Sequence, residues 1–257
     1  MGHETESTRP PEWTVPVLKR TVHMLGLVAL LKVPDIVVYV GPKSVFGTDI
    51  PPTVLGVTSF VASPIGLGIV TLLCLADVDS RGVFDLRRSP RSDAFDQDDI
   101  VFRTPTEEEL QYVGYGLMVT VMGLLVTVAP EPLPQTVPLP EVDSSVNPVF
   151  LFVSLGIVPI VQETFFRGLV QRYVGAISTS AVGIAVATLC YVLFNSLLAL
   201  HLAWVGVVMF AAGQVGLTVL LSVVLGVAYD RTENLTVPTV ISVTHGIIVT
   251  IVVPYLF

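Results

Sequence analysis

The stretch PVFLFVSLGIVPIVQETFFRG, residues 148–168, decides the fold class because it is an apolar run that carries an acid and a base. About 20 apolar residues in a helix cross the hydrocarbon core of a bilayer. Glu163 and Arg167 stand four residues apart, on one helix face, with the acid nearer the N-terminus. The spacing leaves two readings open: a structural ion pair that joins helices, or a site carboxylate oriented by a guanidinium.

The composition extends this interpretation to the whole chain. Of its 257 residues, 52% are hydrophobic and only 13% are charged, whereas a soluble globular chain carries about 25% charged residues. We therefore predict an all-α, polytopic transmembrane bundle of about seven spans, between six and eight. The predicted spans lie near residues 22–40, 53–76, 111–129, 148–168, 175–200, 204–228 and 235–257.

The first of these spans, 22–40, is ambiguous because it contains Lys32, Pro34 and Asp35. A re-entrant or interfacial helix is the alternative there. The domain organisation that follows has a tail, a set of N-terminal spans and a C-terminal core. Their predicted bounds are 1–21, 22–147 with an acidic loop at 77–109, and 148–257.

The basic residues of the loops predict the orientation of the chain. The loop 77–109 carries five arginines, whereas the Pro-rich loop 130–147 has neither Lys nor Arg. Cytoplasmic loops carry an excess of Lys and Arg, so 77–109 is predicted to be cytoplasmic. The same count puts the N-terminus in the cytoplasm and the C-terminus outside, in an integral protein of the plasma membrane.

The net charge of −8 comes mostly from the loops. An acidic surface disfavours nucleic acid as a partner, because phosphates are bound by Lys and Arg. Adaptation to high salt and a simply acidic set of loops are both open as explanations. Membrane lipid is the partner that the composition implies.

Polar side chains at membrane depth usually face a protein interior or a wet cavity. Asn195 is expected to make an interhelical hydrogen bond, and His245 is either a hydrogen-bonded structural residue or a proton-transfer residue. Cys74 and Cys190 fall in apolar runs and form no zinc motif. The full set of polar candidates is Gln162, Glu163, Arg167, Asn195, His201, Gln214 and His245.

Three motifs in the second half of the chain resemble those of the CAAX-processing and bacteriocin-processing (CPBP, or Abi) family of intramembrane endopeptidases. The first family motif reads EExxFRG, and here QETFFRGLVQ supplies Glu163, Phe166, Arg167, Gly168 and Gln171. The second motif places an aromatic residue four before a histidine, and here Thr188, Tyr191 and Asn195 stand at its positions. The third is His-x-x-x-Asn after a YxRTxNLxxP turn, matched by YDRTENLTVP (229–238) and His245.

The resemblance implies a catalytic set of Glu163, Arg167 and His245, but three motif positions depart from the family. Gln162 replaces the first glutamate, Asn195 replaces the second-motif histidine, and Val249 replaces the third-motif asparagine. In the family, the glutamate and histidine are thought to activate a water, and the third motif to stabilise the oxyanion. Amides cannot accept a proton near neutral pH, and valine cannot donate a hydrogen bond.

The resemblance implies hydrolysis of a peptide bond near the cytoplasmic membrane face, in a lipidated or membrane-bound peptide. The alternative is an inactive pseudoprotease that binds or scaffolds a membrane partner. Activity would be kept only if Glu163 and His245 formed a substitute acid–base pair. A proton-relaying transporter is the unrelated third hypothesis. The resemblance leaves open whether a divalent metal such as zinc takes part, and the two amides would be poor ligands for one.

Overall fold

A computed structural model of the chain describes residues 14–45, 63–80, 102–128, 151–195 and 208–252. It is 91% helical and has no strand in these ranges, so the all-α prediction is confirmed. The described residues form seven helices. They are α1 (Thr14–Val45), α2 (Ser63–Ser80), α3 (Glu107–Val128), α4 (Val153–Gly175), α5 (Ser180–Asn195), α6 (Val208–Thr232) and α7 (Thr236–Ile247), the last continued by a π-helical turn, Ile248–Val252.

Three apolar segments within the described ranges are long enough to cross a membrane: Thr14–Val33, Val153–Gly175 and Val215–Thr232. Two shorter apolar helices, Ser180–Asn195 and Thr236–Thr250, accompany them. These segments agree with the prediction of a membrane helical bundle.

Some helix bounds differ from those expected from the sequence. The first helix begins at Thr14, inside the segment predicted as a tail, and α4 continues to Gly175, beyond the predicted end at 168. Both extensions add polar residues that hydropathy alone assigns to loops. Most of the loop 77–109, all of 130–147, and His201 lie outside the described residues.

Helix α4 lies at the centre of the described bundle and packs against α1, α2, α5, α6 and α7. The burial of its second half follows from its large apolar side chains. Phe166 makes edge-to-face contacts with Phe165, Tyr191 and Phe194, at centroid distances of 5.1, 5.2 and 5.7 Å. Such aromatic pairs add to the free energy of burial, so the charged residues of α4 are held within a rigid apolar surround.

Two parts of α4 are π-helical, Val153–Ile157 and Thr164–Gln171. A π-turn widens the helix and is frequently found at functional sites. The second π segment contains both Arg167 and Gln171, whose side chains point into the bundle and are buried.

Helix α3 docks closely on α6 and α7 through two glycines. A Cβ atom at Gly116 would lie 2.3 Å from Cγ2 of Ile241, and one at Gly123 would lie 2.3 Å from Cδ1 of Leu217. A side chain larger than hydrogen at either position would force Ile241 or Leu217 to move. Small residues let membrane helices approach closely, so this face of α3 is shaped for its two neighbours.

The α6–α7 turn is fixed by the side chain of Asn234, which is fully buried. Its Oδ1 accepts from the Arg103 N–H (3.3 Å) and the Thr236 N–H (3.1 Å). Its Nδ2 donates to the Arg103 carbonyl (3.1 Å) and to Glu109 Oε2 (3.3 Å). Because Arg103 also forms an ion pair with Glu109, the start of α3 is tied to this turn.

Candidate functional site

Glu163 and Arg167 form an ion pair inside the bundle. Arg167 Nε donates to Glu163 Oε2 at 3.3 Å, and neither side chain has any solvent exposure. A charge at membrane depth is costly unless it is paired and hydrogen-bonded. The pair that the spacing indicated is therefore present, and further partners must complete it.

Those partners come from three other helices. Ser242 of α7 donates to Glu163 Oε1 at 2.7 Å, and Arg167 Nη2 donates to Ser222 Oγ of α6 at 2.7 Å. Ser222 in turn donates to Thr188 Oγ1 of α5 at 3.3 Å. Each oxygen of the Glu163 carboxylate thus accepts a hydrogen bond, and one network joins α4, α5, α6 and α7.

The ring of Tyr191 packs against the Arg167 guanidinium. The Arg167 Cζ atom lies 5.4 Å from the centroid of the Tyr191 ring, within cation–π range. The sequence singled out Tyr191 and Thr188 as motif positions, but it did not point to Ser222 or Ser242. A serine in an apolar helix usually bonds to its own backbone, so nothing in the pattern marks these two as interhelical.

Gln162 and Asn195, the two amide replacements, contact each other. Gln162 Nε2 donates to Asn195 Oδ1 at 3.5 Å, across 33 residues of sequence, and Asn195 Nδ2 donates to the Tyr191 carbonyl at 2.9 Å. Gln162 is half-buried and Asn195 is exposed. The interhelical hydrogen bond expected for Asn195 is therefore made, and its partner is the other replaced position.

His245 is hydrogen-bonded to α3 and not to Glu163. Its Nδ1 is hydrogen-bonded to Thr120 Oγ1 of α3 at 3.2 Å, and Thr120 also donates to the Gly116 carbonyl at 3.0 Å. His245 lies three residues after Ser242 on α7, and the two side chains bond to different helices, Ser242 to α4 and His245 to α3. Val249 follows in the π-helical turn and is 40% exposed.

The donor set at these positions does not fit a divalent metal. Within the described ranges, no group of three His, Cys, Asp or Glu residues is placed to hold one. Both oxygens of Glu163 already accept hydrogen bonds, and Gln162 and Asn195 offer neutral amides. Gln214 lies in α6, and its side chain is outside the described part of the structure.

A comparison with family models identifies this region. Residues 144–249 match the model described as type II CAAX prenyl endopeptidase Rce1-like. The match supports the resemblance of this segment to the CPBP family. The match begins close to the predicted core at 148, ends at Val249, and covers less than half of the chain. No curated protein and no solved structure matches the chain.

The family-model match confirms the resemblance on which the motif positions rest. Together with the apolar helices, it identifies an integral membrane protein that is CAAX-protease-like. Within the matched region lie all the residues of the Glu163–Arg167 network and both amides, Gln162 and Asn195.

Proposed function

We propose that this chain is a non-catalytic CPBP protein that binds a peptide segment at the membrane without cleaving it. The contact between Gln162 and Asn195 carries the proposal. These residues stand where the family has the glutamate and histidine that activate water, and here they are amides bonded to each other.

The remaining candidates do not replace the missing base. A general base must have a lone pair that takes a proton near neutral pH and must reach the reacting water. Glu163 is fully buried, with hydrogen bonds at both oxygens, and His245 is bonded to Thr120. Val249 offers no donor for an oxyanion, and losing one such donor lowers turnover by about a hundredfold or more.

The amides supply binding groups in place of catalytic ones. Each carboxamide has one acceptor oxygen and two N–H donors. Gln162 Oε1 has no partner among the described residues, and Asn195 Nδ2 has a second N–H beyond its bond to Tyr191. A peptide group presents one N–H and one C=O, so Gln162 and Asn195 together offer a complementary acceptor and donor.

The ligand we propose is the carboxyl-terminal segment of a prenylated protein, because the matched family is described as CAAX prenyl endopeptidase. Where an extended segment enters the hydrocarbon region, its backbone groups need hydrogen bonds from the protein, since lipid chains supply none. The positive-inside pattern supports a site near the cytoplasmic face of the plasma membrane, with the N-terminus inside.

A binding and cleavage assay tests the proposal. The full chain in lipid nanodiscs is titrated with a fluorescent farnesylated peptide, and products are sought by mass spectrometry. We expect saturable binding without product. Replacement of the amides by Gln162→Leu with Asn195→Leu weakens binding, while Leu193→Ala, which changes an exposed apolar residue of α5, leaves it unchanged.

Two outcomes contradict the proposal in different ways. Product formed by the wild type would show an active endopeptidase. Absence of saturable binding by the wild type would exclude the peptide-binding role. Product that appears only in Gln162→Glu with Asn195→His would support it, because the two changes restore the family's water-activating pair.

A further inference from the structure

Two buried polar atoms of α4 have no hydrogen-bond partner among the described residues: Nη1 of Arg167 and Oε1 of Gln171. Arg167 is fully buried and Gln171 is 5% exposed. Buried polar groups in native proteins nearly always have a partner, either in the protein or in ordered water. One of these atoms is a donor and the other is an acceptor, so they have complementary needs.

The two side chains lie in the same seam between α4 and α6. They are four residues apart in the π-helical segment Thr164–Gln171. One nitrogen of each side chain is anchored on α6, at positions that are also four residues apart: Arg167 Nη2 donates to Ser222 Oγ, and Gln171 Nε2 donates to the Gly226 carbonyl at 3.0 Å. These anchors determine which atom of each side chain is left without a hydrogen-bond partner.

Gly226 keeps space open beside the acceptor. A Cβ atom there would lie 3.2 Å from Gln171 Oε1 and 2.9 Å from Cγ2 of Ile184. Any residue larger than glycine would press on the atom that lacks a partner. The α6 backbone thus approaches Gln171 without filling the seam.

We propose that this α4–α6 seam binds an ordered water molecule that accepts a hydrogen bond from Arg167 Nη1 and donates one to Gln171 Oε1. Buried waters typically make about three hydrogen bonds to otherwise unsatisfied groups. The charge of the guanidinium disfavours a cation, and the lone pairs of Gln171 Oε1 disfavour an anion. A small neutral molecule that is both donor and acceptor fits both atoms.

The water would hold Arg167 in the orientation that the network needs. With Nη1 bonded to water, Nε stays on Glu163 and Nη2 stays on Ser222. Neither Gln162 nor Asn195 is among its ligands, so this is a structural water and not the hydrolytic water of the family. The site does not depend on the proposed peptide ligand.

A crystal structure of the full chain in a lipidic phase, at a resolution that shows ordered water, tests the proposal. We expect density within hydrogen-bond distance of both atoms. A direct Nη1–Oε1 hydrogen bond without water, or an ion at this position, would overturn it.

Solid-state NMR on protein labelled with ¹⁵N-arginine gives a second readout in lipid. The Arg167 resonances are identified by their contact with Glu163, and magnetisation transfer from water to Nη1 is measured. Gln171→Met keeps a side chain of similar length but removes the acceptor, and we expect the transfer to fall several-fold. Gly216→Ala, at an α6 glycine whose Cβ would meet no atom within 4 Å, should leave it unchanged. Unaltered transfer in Gln171→Met would overturn the bridging role.

Discussion

At Glu163, an acid that membrane depth would disfavour is held by two hydrogen bonds, one of which is also its ion pair with Arg167. Its arginine partner is just as deeply buried. Breaking a buried pair leaves the other charge uncompensated, whereas replacing both partners with apolar residues is often neutral. The fold should therefore tolerate the loss of both residues better than the loss of either one alone.

The first prediction concerns this difference in tolerance. Glu163→Gln leaves the Arg167 guanidinium without its counter-ion and should lower the free energy of unfolding by about 3–5 kcal/mol. The double variant Glu163→Gln, Arg167→Met removes the stranded charge and should recover part of that loss. Unfolding monitored by circular dichroism during detergent titration measures both. A double variant less stable than the single one would contradict the assignment.

The second prediction concerns Ser242, whose hydroxyl donates to Glu163 Oε1 at 2.7 Å. Ser242→Ala should reduce the free energy of unfolding by about 1 kcal/mol, since interhelical hydrogen bonds in membranes contribute about 0.6 to 1.7 kcal/mol. Ser154→Ala is the matched control, because its hydroxyl has no partner among the described residues. Equal effects of the two substitutions in the same unfolding assay would exclude a specific role for Ser242.

Some of these residue-scale features were open to prediction from sequence and some were not. The Glu163–Arg167 pair is local, so a spacing of four on one helix was enough to indicate it. The contact between Gln162 and Asn195 joins different helices, and only the family motifs suggested that these positions belong together. Ser222 and Ser242 carried no signal, because their role depends on how four helices pack.

At the scale of the helix, α3 is shaped by its neighbours more than by its own propensity. Gly116 and Gly123 are poor helix formers, yet each lies where a side chain would overlap α7 or α6. Hydropathy predicted a span near 111–129 but could not say that its glycines face other helices. The π-helical turns of α4 were likewise invisible, since they arise from packing and not from a residue pattern.

The third prediction tests the glycine face. Gly116→Ala places a methyl group 2.3 Å from Ile241 Cγ2, and overpacking of this kind costs about 1–3 kcal/mol. Gly114→Ala, on the same helix, meets no atom within 4 Å and should be neutral or slightly stabilising. Thermal unfolding of the two variants side by side makes the comparison, and equal midpoints would contradict the close approach of α3 and α7.

The fourth prediction concerns pH and the start of α3. Burial alone would raise the pKa of the Glu109 carboxyl, but hydrogen bonds from the Thr106 N–H, Arg103 and Asn234 hold that pKa below its ordinary value of 4.5. A depressed folded-state pKa contributes stability above the unfolded pKa. That contribution is lost as the pH falls through and below about 4.5.

Glu109→Gln should therefore destabilise the protein at neutral pH and flatten the acid limb of its stability curve. Measured between neutral pH and pH 3, the difference between wild type and variant should shrink as the acid is protonated. Glu108→Gln is the control, because the adjacent residue is exposed. A gap that stays constant with pH would mean that Glu109 acts through packing alone.

At the scale of the molecule, α4 is the helix through which the other helices are connected. Its polar side chains bond to α5, α6 and α7, and its aromatic side chains fill the space around them. The composition was sufficient to predict an all-α membrane bundle, because apolar length is a property of each segment alone. Which helix occupies the centre depends on contacts between segments distant in sequence.

The hydrogen bonds of Asn234 bear on whether the matched region can exist as an independent module. Asn234 lies within residues 144–249, yet its carboxamide binds the backbone of Arg103 and the carboxylate of Glu109, which lie outside them. An excised fragment would leave this carboxamide without its partners on Arg103 and Glu109 and would expose the surface that α3 covers. The matched segment is therefore expected to fold together with the residues at the start of α3, and not as an independent module.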